Sequence, residues 1–261
     1  MTRELHPPAP VRSGDFKGGL TADDDPDPNA LRRVAFVTVG ATAGFRPLLA
    51  EVLSEAFIAS LVALGYTRLV IQCGPDVDFV EAHFPRDDDD DDDDHDRGEA
   101  GLELGEKENQ QGGEDDQKKR QRERRRDFVR RIAIFTYTSE MTKWMRLAGP
   151  GTDEDGGRRG YGVIISHAGS GSIMDALRVK ARLVAVPNPA LMDNHQEELA
   201  EEMERQGYLV WGKLGSLADA VEYIEEHVPK EWPSPAAASD GAPYPGGLFD
   251  AMKSLVQDNR G

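Results

Sequence analysis

Two short loops hold the residues best placed to do chemistry. In "VIISHAGSGSIMDAL" a β-branched run breaks at His167 and Ala168 into Gly169, Ser170, Gly171 and Ser172, then resumes as an apolar helical pattern. A strand that ends in small residues and opens a helix turns backbone N–H groups outward. The glycines let a ligand come close to them, and the helix amino end adds a partial positive charge. A diphosphate suits such a place. The spacing also fits a plain tight turn, because Met174 stands where the dinucleotide fingerprint has its third small residue. No Gly-Lys-Ser/Thr follows, which excludes a Walker loop. The positions two either side of Ser170 hold Ala168 and Ser172, which disfavours the nucleophile elbow of a serine hydrolase. Asp175 lies off the apolar stripe of Ile173, Ala176 and Leu177, in the first turn of a helix read from Ser172 to Val179. It suits either the helix dipole or the hydroxyls of a ribose.

The second loop is "PNPALMDNHQEEL", where Asn194, His195 and Gln196 crowd donors and acceptors at a helix entrance. Asp193 and Gln196 also have the spacing of a capping-box variant. His195 and Glu198 could begin a metal site, but no third ligand is in register, so no metal is expected. Two further loops, "TVGATAGF" with Gly40 and Thr42, and "QCGPD", bring small residues to the same edge and could shape a nucleotide pocket.

These loops need a scaffold that gathers them. "RRVAFVTVG", "RLVIQCG" and "RRIAIFTYTSE" read as buried strands, as do Val163 to Ser166, Leu183 to Val186 and Tyr208 to Trp211. Between them run helical patterns: one from Pro47 to Leu64, a short one around Ser139 to Leu147, and those at Ser172 to Val179, Asn194 to Gln206 and Ser216 to His227. Residues 149–160 read as a Gly-rich charged loop. Strands alternating with helices of this length predict right-handed crossovers and an α/β fold: one Rossmann-like domain with a mostly parallel sheet. Ligands of such sheets bind beyond the carboxyl ends of the strands, where the loops above belong.

Composition sets the limits of the domain. Of 261 residues 30% are charged and the formal net charge is −17, but much of the acid sits in the single run "RDDDDDDDDHD". From Arg86 to Arg126, where the basic "KKRQRERRR" ends, apolar periodicity disappears, which predicts an unstructured insertion. The Asp-x-Asp metal pattern inside the aspartate run is a trivial match of a homopolymer. The expected organisation is a disordered leader over 1–30, the domain over 31–228 interrupted by the insertion at 86–126, and a linker with the terminal helix "LFDAMKSLVQ" over 229–261. The acidic balance argues against a nucleic-acid partner. One cysteine, Cys73, excludes an internal disulfide and paired-cysteine zinc sites. Neither a signal-peptide pattern nor an apolar run of about 18 to 20 residues is found, so a membrane connection is expected only through a partner or the surface.

"VTVGATAGFRPLL", "VIISHAGSGSIMDALR" and "LVAVPNPALMDNHQEELAEEMERQGYLV" together resemble the catalytic subunits of the UDP-N-acetylglucosamine transferase that adds the second sugar to the dolichol-linked oligosaccharide precursor. More distantly they are similar to the donor-binding half of the bacterial transferase that completes the lipid-linked cell-wall precursor, a glycosyltransferase family 28 C-terminal domain. The resemblance implies half of a GT-B fold that holds UDP-N-acetylglucosamine as donor substrate, with no cofactor. It implies that Gly169, Ser170, Gly171 and Ser172 hold the diphosphate, that Asp175 sits near the ribose, that Asn194, His195 and Gln196 reach phosphate or sugar hydroxyls, and that His167 lies at the mouth of the site. It implies an inverting, metal-independent transfer that makes a β1,4 bond to a lipid-linked sugar acceptor, with a general base that is not assigned here. The partner it implies is a membrane-anchored, acceptor-binding subunit at the cytoplasmic face of the endoplasmic reticulum, the soluble chain being found there and in the cytosol. The alternative is a nucleotide-binding interaction module of the same fold without catalysis. Two departures stand out: the family tends to have Thr-Thr-x-Phe-Asp after the first strand where this chain has Ala41-Thr42-Ala43-Gly44-Phe45-Arg46, and Glu more often than Asp at the ribose position.

Overall fold

The computed structural model describes residues 31–83, 112–153, 156–191 and 195–232. In chain order the strands are β1 (Val34–Thr38), β2 (Arg68–Gln72), β3 (Ile132–Phe135), the two-residue β4 (Gly151–Thr152) and β5 (Arg158–Arg159), β6 (Val163–Ser166), β7 (Arg182–Ala185) and β8 (Val210–Trp211). The α-helices are α1 (Arg46–Val52), α2 (Glu55–Ala63), α3 (Val77–Glu81), α4 (Gly112–Arg130), α5 (Met141–Met145), α6 (Ser170–Arg178), α7 (His195–Arg205) and α8 (Leu217–Glu226).

Six strands form one sheet in the order β3-β2-β1-β6-β7-β8, and every neighbouring pair is parallel. The chain winds outward from β1 to β3, then returns to lay β6 against the other side of β1. Strand order therefore reverses between β1 and β6, the place where doubly wound sheets open a crevice for ligands. Thr38 is in register with both Gln72 and Ser166, so the carboxyl ends of β1, β2 and β6 are level.

Side-chain alternation divides the core in two. Val37, Ile71 and Ile165 pack with α1, α2, α8 and Phe128 of α4 on one face. Phe36, Val70 and Ile164 pack with Met145 of α5, Ile173 and Leu177 of α6 and Met203 of α7 on the other. Both faces are covered, which is why the middles of β1, β2, β3 and β6 are continuous apolar runs rather than alternating. The expected α/β, mostly parallel fold is the fold observed.

Three expectations need correction. The apolar period from Pro47 to Leu64 is two helices, because Ser54, in extended conformation, accepts a bond from Phe57 N (3.2 Å) and starts α2 anew. Residues 112–126, expected to be unstructured, belong to α4. Their charged residues give no apolar period, but Phe128 plugs into the core and Arg125 pairs with Glu55 of α2, and these contacts anchor the helix at its carboxyl end. The loop at 149–160 contains the antiparallel pair β4 and β5, tied by Asp153 to Arg32 (2.8 Å) and Arg159 (3.2 Å). The leader, the aspartate run and the terminal segment "LFDAMKSLVQ" lie outside the described residues.

Candidate functional site

The carboxyl ends of β1 and β6 meet at His167. Its backbone N–H donates to Thr38 O (3.0 Å), extending the ladder one residue past β6, and its Nδ1 lies 3.3 Å from the same oxygen. A carbonyl can only accept, so Nδ1 carries the proton. Burial disfavours the charged ring and holds its pKa below the ordinary histidine range, against a smaller upward pull from the bond to Thr38. The neutral ring therefore keeps its lone pair on Nε2. A Cβ on Gly40 would stand 2.7 Å from that atom, and one on Gly169 would also collide with it. Gly40 is further required by its φ of +84°. Between His167 and Gly169 the buried Ala168 takes a left-handed φ of 63°, a strained turn that carries the chain from strand to helix.

Gly169 is the N-cap of α6 and has no side chain with which to cap it. The first amides of the helix, at Ser170, Gly171 and Ser172, have no intrahelical acceptor. Ser170 and Gly171 are exposed, and a Cβ added to Gly171 would meet nothing within 4 Å. The absent side chain at Gly171 is thus not demanded by the protein's own packing; it leaves the backbone open to a ligand. Beneath, Ser166 Oγ is fully buried and has no hydrogen-bond partner among the described residues. Strand alternation puts it on the face of Ile164, the face that α6 covers.

The structure thus gathers His167, Gly169, Ser170, Gly171, Ser172 and Gly40 at one point of the sheet edge. Thr42 is exposed on the loop that follows Gly40. Asp175 is displaced from the expected first turn, because α6 starts two residues earlier, at Ser170. It is half-buried in the second turn and pairs with Arg178 (3.3 Å) instead of capping the dipole. His195 begins α7, Asn194 lies outside the described residues, and Gln196 Oε1 accepts a long bond from Asn188 N (3.4 Å).

Three polar residues not singled out from the sequence hold these loops. Gln72, buried at the end of β2, accepts from Thr38 Oγ1 (2.6 Å) and Gly40 N (3.1 Å) and donates to Gly40 O (2.9 Å) and Thr136 O (2.7 Å). Asp76, in the loop after β2, accepts from Phe45 N (2.7 Å) and from Arg46 Nε (3.0 Å). Asp76 thereby supplies the counter-charge of Arg46. Asn188, after β7, donates from Nδ2 to Gly44 O (3.0 Å). Cys73 is buried between these loops, donates to Phe135 O (3.4 Å), and is pushed by burial up to about 11, so it is a structural thiol and not a nucleophile at neutral pH. Among the described residues no three His, Cys, Asp or Glu side chains gather as a metal ion requires.

Residues 158–235, which run from β5 through α8, match the Glycosyltransferase family 28 C-terminal domain. The chain is 33% identical over 177 residues to the UDP-N-acetylglucosamine transferase subunit ALG13 of Candida glabrata, covering 67% of this chain and 78% of the relative. It is 30% identical over 184 residues to the protein of the same name from Saccharomyces cerevisiae, covering 69% of this chain and 76% of that one. Among solved structures, the solution NMR structure of ALG13 aligns over 87% of this chain and 96% of its own length, at 20% identity and a TM-score of 0.43.

Proposed function

The chain belongs to the family of UDP-N-acetylglucosamine transferase subunits named ALG13, and from that premise we propose that it is the donor-binding, catalytic half of a two-chain GT-B transferase. It is a glycosyltransferase subunit using a UDP-sugar, and a subunit implies a partner. The finer reading is that UDP-N-acetylglucosamine binds at the switch point and gives its sugar, in β1,4 linkage, to the N-acetylglucosamine of a dolichyl diphosphate acceptor.

One observation carries this reading: the open backbone at Gly171, on an uncapped helix amino end beside the partly buried ring of His167. The amides of Ser170, Gly171 and Ser172 would receive the diphosphate, with the α6 dipole adding to its stabilisation and His167 adding to it once Nε2 takes up a proton. Asp175, released from the first turn, would accept from the ribose hydroxyls. Gly40 and Thr42 would form the opposite wall, and Asn194, His195 and Gln196 would reach the sugar or phosphate from the entrance of α7. In the transfer the acceptor hydroxyl oxygen bonds to C1 of the donor sugar as the bond from C1 to the diphosphate oxygen breaks. UDP keeps the electron pair, and a base takes the hydroxyl proton. The helix amino end acts where that negative charge develops.

No helix of the described residues is long and apolar enough to cross a membrane. A lipid-linked acceptor would then be presented by a membrane-anchored, acceptor-binding partner, which would hold this chain at the cytoplasmic face of the endoplasmic reticulum. The test is to co-express the chain with that subunit and measure transfer from UDP-N-acetylglucosamine to a lipid-diphosphate N-acetylglucosamine acceptor. Transfer that needs both chains supports the reading. UDP binding with no transfer by the intact pair would overturn it in favour of a non-catalytic nucleotide-binding module.

A further inference from the structure

Asp76 and Asn188 form a buried clasp that joins loops from opposite sides of the switch point. Asp76 is 6% exposed and Asn188 7%. The Asp76 carboxylate spends one oxygen on Phe45 N and the other on Arg46 Nε. Gly44 lies so close above it that a Cβ there would collide with both carboxylate oxygens. The carbonyl of the same Gly44 accepts from Asn188 Nδ2 (3.0 Å). Asn188 Oδ1 in turn accepts from Ala190 N (3.1 Å), and its backbone N–H donates to Gln196 Oε1. One hydrogen-bond chain thus runs from the loop after β2, through the loop after β1, to the loop after β7 and the first turn of α7. Neither side chain belongs to the α6 end where the diphosphate is placed.

We infer that Asp76 and Asn188 are positioning residues for donor binding: they set the Gly40 to Phe45 wall and the α7 entrance as one unit, so that both sides of the donor pocket are formed before the donor arrives. This rests on the reading of the switch point as the donor site. Preorganisation lowers the cost of binding, and its loss is read in affinity for the donor more than in the chemical step. Arg46 contributes less, since its own side chain is 66% exposed and water can take its place beside the carboxylate; the backbone bond to Phe45 is the essential one.

The test uses the co-expressed, active two-chain enzyme and variants Asp76→Ala, Asp76→Asn, Asn188→Ala, Arg46→Ala and the double alanine variant. Expected are a rise of roughly tenfold in donor KM with little change in kcat for Asp76→Ala and for Asn188→Ala. Asp76→Asn, which keeps an acceptor for Phe45 N, and Arg46→Ala are expected near the parent. The double variant is expected to lose little more than either single one, since both break the same chain. Unchanged donor KM in Asn188→Ala and Asp76→Ala, or fully additive effects, would overturn the clasp while leaving the donor site standing. A parent enzyme that binds no UDP would instead remove the donor-site reading itself.

Discussion

A Cβ on Gly40 would stand 2.7 Å from His167 Nε2, so the end of β1 and the imidazole after β6 share one space that only a glycine leaves open. Gly40 also has φ +84°, where an L side chain costs about 1 to 2 kcal/mol. Gly40→Ala should therefore lower stability by about 2 kcal/mol or more once the displaced ring is included. A urea unfolding midpoint equal to that of the parent would show that the ring is not wedged there.

His167 carries a pH signature. Its pKa in the fold is lowered, chiefly by burial. The unfolded chain then takes up the proton first, so the stability linked to this ring is complete above the ordinary histidine range and is lost as pH falls through the depressed value. A diphosphate next to Nε2 favours the protonated ring. Saturating UDP should raise the pKa of His167, and by linkage UDP should bind more tightly as the pH falls from the raised, UDP-bound value to the depressed value of the free protein. NMR titration of the ring with and without UDP measures this, and coincident curves would place the diphosphate elsewhere.

At the opposite, amino ends of the strands, Glu225 of α8 accepts from Tyr66 OH (2.6 Å) and pairs with Arg33 (2.6 Å) and Arg182 (2.5 Å). Burial alone would raise the pKa of Glu225, but the bonds from Tyr66, Arg182 and Arg33 together hold it below the usual carboxylate range. The stability it brings is present above the ordinary Glu value and is lost as pH falls through the lowered one. Glu225→Ala takes the carboxylate from Arg182 and leaves Arg33 with its bonds to Tyr161 O and Leu64 O, and should cost about 3 kcal/mol. Because this cluster is remote from the carboxyl edge, the folded fraction should bind UDP as the parent does. Thermal unfolding and UDP titration of the same sample check both halves, and a loss of affinity without a loss of stability would contradict the separation.

Much of this architecture is legible in local sequence. β1, β2, β3 and β6 announce themselves because a sheet covered on both faces needs continuous apolar runs, and the helices α6 and α7 follow from their apolar stripes and small or polar starts. The break at Ser54 hides inside an unbroken apolar period, although serine followed by Glu55 is a helix-start signal. Helix α4 is masked by its charge, since it is Phe128 and Val129 near its end that engage the core. The clasp was beyond reach for another reason: Asn188 meets Gly44 across 144 residues, and Asp76 meets Phe45 across 31. Polar residues in loops show no period, and only the fold brings their partners together.

Gly171 separates packing from binding more cleanly than any other position. Its site for a Cβ is empty, and alanine is favoured over glycine in a helix by up to about 1 kcal/mol, so Gly171→Ala should leave the fold as stable as the parent or slightly more so. The same methyl group would stand where the proposed site has the diphosphate approach the α6 amides. UDP titrated calorimetrically into the parent and into Gly171→Ala, each paired with the partner subunit, should show an affinity at least tenfold weaker in the variant. Equal affinity in the two would contradict the placement of the donor at the amino end of α6.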